Sequence, residues 1–259
     1  MRWRLYDELI AGIPAGKPVD ERVMGSSWVA VSSGGSVGVC MRQDGETRPT
    51  HSGNAHSSAS LREMAHLARS WNMHEACFGI AAMNAWYNDP ARLGGPDDGL
   101  PQDPFVRYED RLVGKKVAFI GHFAVTERLS ALGCDLVVIE RNPRKEDFPD
   151  PAAEYLLPGR DFVFITGSAL ANKTLPRLLE LCMGAFVVLV GPSVPLAPAL
   201  FAYGISALSG QVFPDADSCL SIVCGARHHR LVRAGIKIHL EAPITLPLCG
   251  ENAEKCISL

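Results

Sequence analysis

Four apolar runs in the second half of the chain constrain its fold more than any other feature: "KKVAFIGHF", "CDLVVIER", "DFVFITG" and "AFVVLVGPS". Each ends in a polar or glycine-containing turn. Strands that are apolar throughout, without in–out alternation, are buried on both faces. Helical patterns separate them: "VTERLSALG", closed by Gly133, then "PAAEYLLPG", then "TLPRLLELCMG" with Pro176 in its first turn, where proline is tolerated. A short helix, "PLAPALFAYG", leads to "ISALSGQVF", a candidate fifth strand. Such alternation predicts a parallel sheet covered on both faces with right-handed crossovers, a doubly wound, Rossmann-like α/β domain.

The first half reads differently. It opens with a helix, "WRLYDELIAGI". In "SSWVAVSSGGSVGVCMR", Trp28 to Val31 form a strand, Ser33, Gly34 and Gly35 a turn, and Val37 to Met41 the return strand of a hairpin. "SLREMAHLARSW" predicts a helix that Ser60 can cap, with Leu61, Met64, Ala65 and Ala68 on one face. "MHEACFGIAAMNAWYN" predicts another with a small-residue face. Residues 88–110, "NDPARLGGPDDGLPQDPFVRYED", show no apolar period and predict a linker or long loop. The expected organisation is a smaller α+β domain over 1–90, a linker over 91–110 and the Rossmann-like domain over 111–259.

The formal net charge of −3 gives no overall basic field for nucleic acid. No apolar run reaches the roughly 20 residues of a membrane span; the longest, "GAFVVLVGPSVPLAPALFAYG", is broken by Pro192, Pro195 and Pro198. The N-terminal stretch carries acids inside its apolar run, unlike a signal peptide. These readings predict a cytoplasmic protein without a nucleic-acid or membrane partner, and base rates favour a homodimer. Eight cysteines without a C-x-x-C, in a chain without a secretory signal, argue against a disulfide framework. Cys134 and Cys182 lie in apolar contexts and read as core thiols. Cys249 and Cys256 read as a loose tail, or as exposed thiols or soft-metal ligands. The eight histidines, His51 and His56 in a Ser/Gly/Asn loop and His228 and His229 in a basic patch among them, form no compact zinc pattern.

In an open parallel sheet, ligands bind outside the carboxyl ends of the strands. That rule selects "GHFAVTE", "ERNPRKED", "TGSALANKT" and "GPSVPLAP". The first is not a dinucleotide fingerprint, because His122 and Phe123 fill the space that a pyrophosphate needs. Glu140 stands where a ribose-binding acid would, or pairs with Arg141 or Arg144. In "TGSALANKT", Gly167 permits a sharp turn, Thr174 or Asn172 can cap the next helix, and Lys173 adds a charge. It reads as a capped turn with a solvated lysine or as an anion site. Ser193 has no nearby His–Asp pair in sequence, so a serine nucleophile is not expected.

Together "GHF", "ER-P", "TGSALANKTLPRLLEL" and "GPSVPLAPALFAYG" resemble the DUF364 family, described as a heavy-metal chelation domain. "WVAVSSGGSVGVCMR" and "GIAAMNAW" are similar to its smaller partner domain, DUF4213, which is enolase-N-terminal-like. The resemblance covers nearly the whole chain, and "TG-AL-N-T" is its most specific part. It implies a cleft between the two domains. His122 and Glu140 are its metal-binding candidates. Gly121, Phe123, Thr166, Gly167, Asn172, Lys173, Thr174, Gly191, Pro192 and Ser193 are ligand-binding candidates from the Rossmann-like half. Asn84 and Ser33, Gly34 and Gly35 are those from the smaller domain. The implied function is binding of a divalent or heavy metal ion, or of a metal complex. The alternative is an enzyme acting on a small anionic metabolite or nucleotide-like ligand in the same cleft, with no catalytic residue assigned.

Overall fold

The computed structural model describes residues 3–43, 48, 60–93, 99–144, 146–225 and 228–243, without the side chains of His228 and His229. The tail thiols Cys249 and Cys256, and His51 and His56, lie outside these residues.

Strands β1 (Glu21–Met24), β2 (Trp28–Ser33) and β3 (Ser36–Met41) form an antiparallel sheet in that order. β2 and β3 are the hairpin expected from sequence; β1, only four residues long, carries too little pattern to be seen there. Helix α3 (Met73–Tyr87) covers one face, with α2 (Leu61–Ala65) packed on α3 and α1 (Arg4–Ala11) on α2. Ser60 caps α2 in a capping box: its hydroxyl accepts from the Glu63 N–H at 3.3 Å, and the Glu63 carboxylate accepts from the Ser60 N–H at 2.7 Å. α2 is shorter than expected, since His66–Arg69 tighten into a 3-10 turn. α3 lies backbone-close on β3 because position 38 is glycine; a Cβ there would stand 2.0 Å from the Ala85 nitrogen.

The second sheet has seven strands in the order β10-β9-β8-β7-β4-β5-β6. They are β4 (Lys116–Ile120), β5 (Asp135–Glu140), β6 (Phe148–Pro149), β7 (Phe162–Thr166), β8 (Phe186–Val190), β9 (Ala207–Val212) and β10 (Ile236–Glu241). All neighbours are parallel except β10, which joins β9 antiparallel. The chain winds outward from β4 to β6, returns to the other side of β4, and winds outward again from β7 to β9. This is the doubly wound Rossmann order, and the winding reverses between β4 and β7.

Residues 88–110 are not the plain linker expected. Asp103 caps a short helix, Pro104–Arg107, by accepting from the Phe105 N–H at 3.0 Å. Phe105 stacks edge-on against Phe119 with centroids 5.5 Å apart, and the Tyr108 hydroxyl donates to Glu241 at 2.8 Å. Two isolated aromatics anchor this stretch, which is too few to show a period.

One buried cluster runs from Val29, Cys40 and Ile80 in the first half through Ala118, Val163 and Leu196 in the second. The helix Ala216–Cys224 also crosses back, packing Cys219, Leu220 and Val223 on Trp28, Ala30, Val37 and Val39. The small sheet therefore lies between α3 and a helix from the other half. Cys182 is buried as expected, whereas Cys134 is half-buried, its thiol donating to the Leu129 carbonyl at 3.2 Å. No helix among the described residues is long and apolar enough to cross a membrane.

Candidate functional site

At the carboxyl ends of β4 and β7, where the winding reverses, lies a cavity of about 530 Å³. Seven of the sequence candidates line it: Gly121, His122, Phe123, Glu140, Thr166, Asn172 and Thr174. The opposite wall comes from the end of β3, with Met41, Arg42 and Gln43. Gly121 adopts φ +99°, and a Cβ there would stand 3.0 Å from the Thr166 side chain. A larger residue would be strained in backbone and pressed against β7.

Glu140 spends its carboxylate on the local backbone. One oxygen accepts from the His122 N–H at 3.0 Å; the other accepts from the Arg141 and Asn142 N–H groups at 2.8 and 3.3 Å. It staples two loops together. Neither guanidinium proposed as its partner pairs with it: Arg141 pairs with Asp150 at 3.0 Å, and Arg144 uses its backbone N–H on Asp147. The His122 ring stands against another acid, its Nδ1 3.4 Å from Asp147 Oδ2 without hydrogen-bond alignment. Among the described residues no three His, Cys, Asp or Glu side chains gather closely enough to hold a metal ion. A cation that demands four or more protein ligands does not fit the His122–Glu140 corner.

Arg42 is the functional candidate that sequence reasoning missed. It donates to the Gly25 carbonyl at 3.3 Å, while its buried Nε has no acceptor. It stands on the cleft wall, and among the described residues it has no carboxylate partner. It is a single arginine after a strand in the other half of the chain, and no motif marks it.

The turn after β7 holds two helix starts, Ser168–Ala171 and Leu175–Leu181. Thr174 makes no side-chain cap; instead Asn172 Oδ1 accepts from the Thr174 N–H at 3.1 Å and from its hydroxyl at 2.7 Å. Between them Lys173 adopts φ +65°, the one positive φ outside glycine among the described residues. Its Nζ donates to the Ala171 carbonyl at 2.8 Å and lies 5.7 Å from the centre of the Trp71 ring. It is not a solvated lysine: it turns away from the cavity, and burial pushes its ammonium down to about 8. It faces Cys40 and Cys77, whose sulfurs both approach the Met41 carbonyl, at 3.4 and 3.5 Å. Cys77 also accepts from the Gln43 N–H at 3.4 Å. The two thiols influence each other: the neighbouring Cys40 holds Cys77 below the usual thiol range, and Cys77 together with burial pushes Cys40 well above it.

The turn after β8 forms a seam with the first half of the chain. The Ser193 hydroxyl accepts from the Met41 N–H at 2.8 Å. Asn84, fully buried, donates to the Pro192 carbonyl at 3.4 Å and to Val39 at 2.7 Å. Gly167 allows the turn after β7 to touch it, since a Cβ there would stand 2.7 Å from the Ser193 carbonyl carbon. Asn84, Gly167, Lys173, Gly191, Pro192 and Ser193 do not line the cavity. The Ser33–Gly35 turn lies at the far end of the hairpin from Met41, with the Gly34 N–H on Asp20.

The DUF364 profile, described as "putative heavy-metal chelation", matches residues 103–241, and DUF4213, with the same description, matches residues 6–87. A DUF364 protein of unknown function from Desulfitobacterium hafniense has a solved structure similar at TM-score 0.84 and 40% identity, covering 93% of this chain and 98% of that one. Another from Pyrococcus horikoshii, at TM-score 0.75 and 22% identity over 93% and 99% of the two chains, shares the fold. An uncharacterised protein of Methanocaldococcus jannaschii is 32% identical over 172 residues, 62% of this chain, which spans 63% of that relative's length. With one profile matching more than half of its length and a 40% identical structure alike along nearly all of it, the chain belongs to the DUF364 family.

Proposed function

We propose that the cleft binds a small anionic metal complex, in which an organic chelator rather than a cage of protein side chains holds the metal. The observation that carries this reading is Arg42, a cation with no carboxylate partner among the described residues, on the wall of a cavity of about 530 Å³. Small-molecule sites occupy roughly 300–1,000 Å³, and a bare ion fills a small fraction of that. A guanidinium suits the carboxylates of a chelator, which it can bind in two-pronged fashion. Thr166, Asn172 and Thr174 add hydroxyl and amide groups on the opposite wall. The metal, when bound, supplies positive charge that the chelator's own donor atoms satisfy.

Calorimetric titration with nickel ion alone, citrate alone and the preformed nickel–citrate complex tests this. The complex is expected to bind more tightly than either component, and Arg42→Gln is expected to weaken it at least tenfold, the scale of one charge-assisted hydrogen bond. Stoichiometric binding of free nickel with no effect of Arg42→Gln sinks the reading. A second reading, chemistry on the bound anion, is favoured by the His122 imidazole on the cavity wall, a side chain of the type that moves protons, with the Asp147 carboxylate 3.4 Å from its Nδ1. Mass spectrometry that finds the ligand unchanged after incubation removes it.

A further inference from the structure

We propose that Cys40 and Cys77 form a buried two-thiolate site for a soft monovalent metal ion of the copper(I) class, with the Lys173 ammonium as its counter-charge. This goes beyond the cleft reading and stands without it. Two sulfurs that approach one carbonyl oxygen are neighbours, and both side chains are fully buried. Thiolates select soft ions. Monovalent ions of this class accept two thiolates in a line, so the lack of a third His, Cys, Asp or Glu ligand among the described residues is no obstacle.

Charge picks the valence. Binding releases both thiol protons and forms two metal–sulfur bonds. With a monovalent ion the product carries one negative charge, which faces the Lys173 ammonium and, beside Cys77, the Arg42 guanidinium. With a divalent ion the product carries no negative charge to face those cations in a buried place, a costly outcome. The backbone supports this placement, since Lys173 holds a left-handed conformation that costs a non-glycine residue about 1–2 kcal/mol. Ordinary core thiols here have no such company: nothing but burial perturbs Cys182. The pair also lies next to the cavity. Met41 and Gln43 line the cavity, and the two sulfurs lie directly behind them on the Met41 carbonyl and the Gln43 N–H. The Met41 thioether, 3.7 Å from the Ser168 hydroxyl, adds a soft donor atom beside the cavity.

The test is anaerobic titration of the reduced full-length chain with copper(I) against a colorimetric competing chelator. Wild type is expected to withhold one equivalent, Cys40→Ser and Cys77→Ser none, and Cys182→Ser the full equivalent. Lys173→Met should weaken binding at least tenfold and Lys173→Arg restore most of it. X-ray absorption at the copper edge of wild type covers the case in which a cysteine variant fails to fold: it should report two sulfur neighbours. A full equivalent retained by either folded cysteine variant overturns the proposal, as do nitrogen or oxygen neighbours at the copper. Nickel–citrate titration of Cys77→Ser keeps the two readings apart, because cleft binding is expected to survive the loss of copper(I).

Discussion

The turns after β7 and β8 look alike in sequence and are used differently. "TGSALANKT" and "GPSVPLAP" both follow an apolar strand with small polar residues, glycine or proline. The first opens on the cavity through Thr166, Asn172 and Thr174. The second is clamped to the first half of the chain: Asn84 holds the Pro192 carbonyl, the Met41 N–H holds Ser193, and Asn88 holds Val194 and Leu196. Strand order decides the difference. β7 borders β4, where the winding reverses and the ends splay apart. β8 is one strand further out, under the hairpin and α3. A polar strand end therefore marks a ligand rim or a seam, and only the topology says which.

Two asparagines give the largest test of that contrast. Asn88 is buried in the seam, donating to the Val194 and Gln211 carbonyls at 2.9 and 3.1 Å and accepting from the Leu196 N–H at 2.8 Å. Asn88→Ala removes all three bonds and is expected to cost about 3 kcal/mol or more. In a chain of this size that lowers Tm by roughly 6–12 °C. Among the described residues the Asn172 side chain bonds only to its neighbour Thr174, so Asn172→Ala is expected to cost under about 1 kcal/mol and to show itself in ligand affinity instead. Equal losses in thermal melts would erase the distinction between seam and rim.

A smaller effect is expected from the hydroxyls. Ser193→Ala leaves the Met41 N–H without its 2.8 Å acceptor and should cost about 1–2 kcal/mol by denaturant titration. Thr174→Ala, on the half-exposed rim, should fall within about 0.5 kcal/mol of wild type. If Ser193→Ala is silent, water replaces the bond and the seam is looser than the geometry implies.

The parallel sheet is legible because its strands are buried on both faces and so are apolar at every position. β1 and β10 are edge strands, short or alternating, and they escape that signal. Asn88 and Tyr108 sit among Pro, Gly and Asp, where composition argues for a loop and hides two anchors. The rim rule finds the cavity residues contributed by the Rossmann-like sheet. It misses Arg42 because nothing local to "VCMRQ" tells which loop of a second sheet will face the first. The Cys40–Cys77 pair is hidden for a related reason: the sulfurs meet only because Gly38 lets α3 lie flat on β3.

The comparison is sharpest at Lys173, which belongs to the rim by sequence and to the seam by contact. Its backbone conformation can be separated from its amine by comparing two truncations. Lys173→Ala and Lys173→Gly both lose the 2.8 Å bond to Ala171 and the contact with Trp71. They differ only in a Cβ at φ +65°. Relief of left-handed strain favours glycine by about 1–2 kcal/mol, and the greater freedom of glycine in the unfolded chain takes back part of it. The glycine variant should therefore melt roughly 2–4 °C above the alanine variant, which is near 1 kcal/mol for a chain of this size. Coincident melting curves would mean that the turn relaxes once the amine is gone. In that event Lys173 is held left-handed by its own contacts, not by the two helices on either side of it.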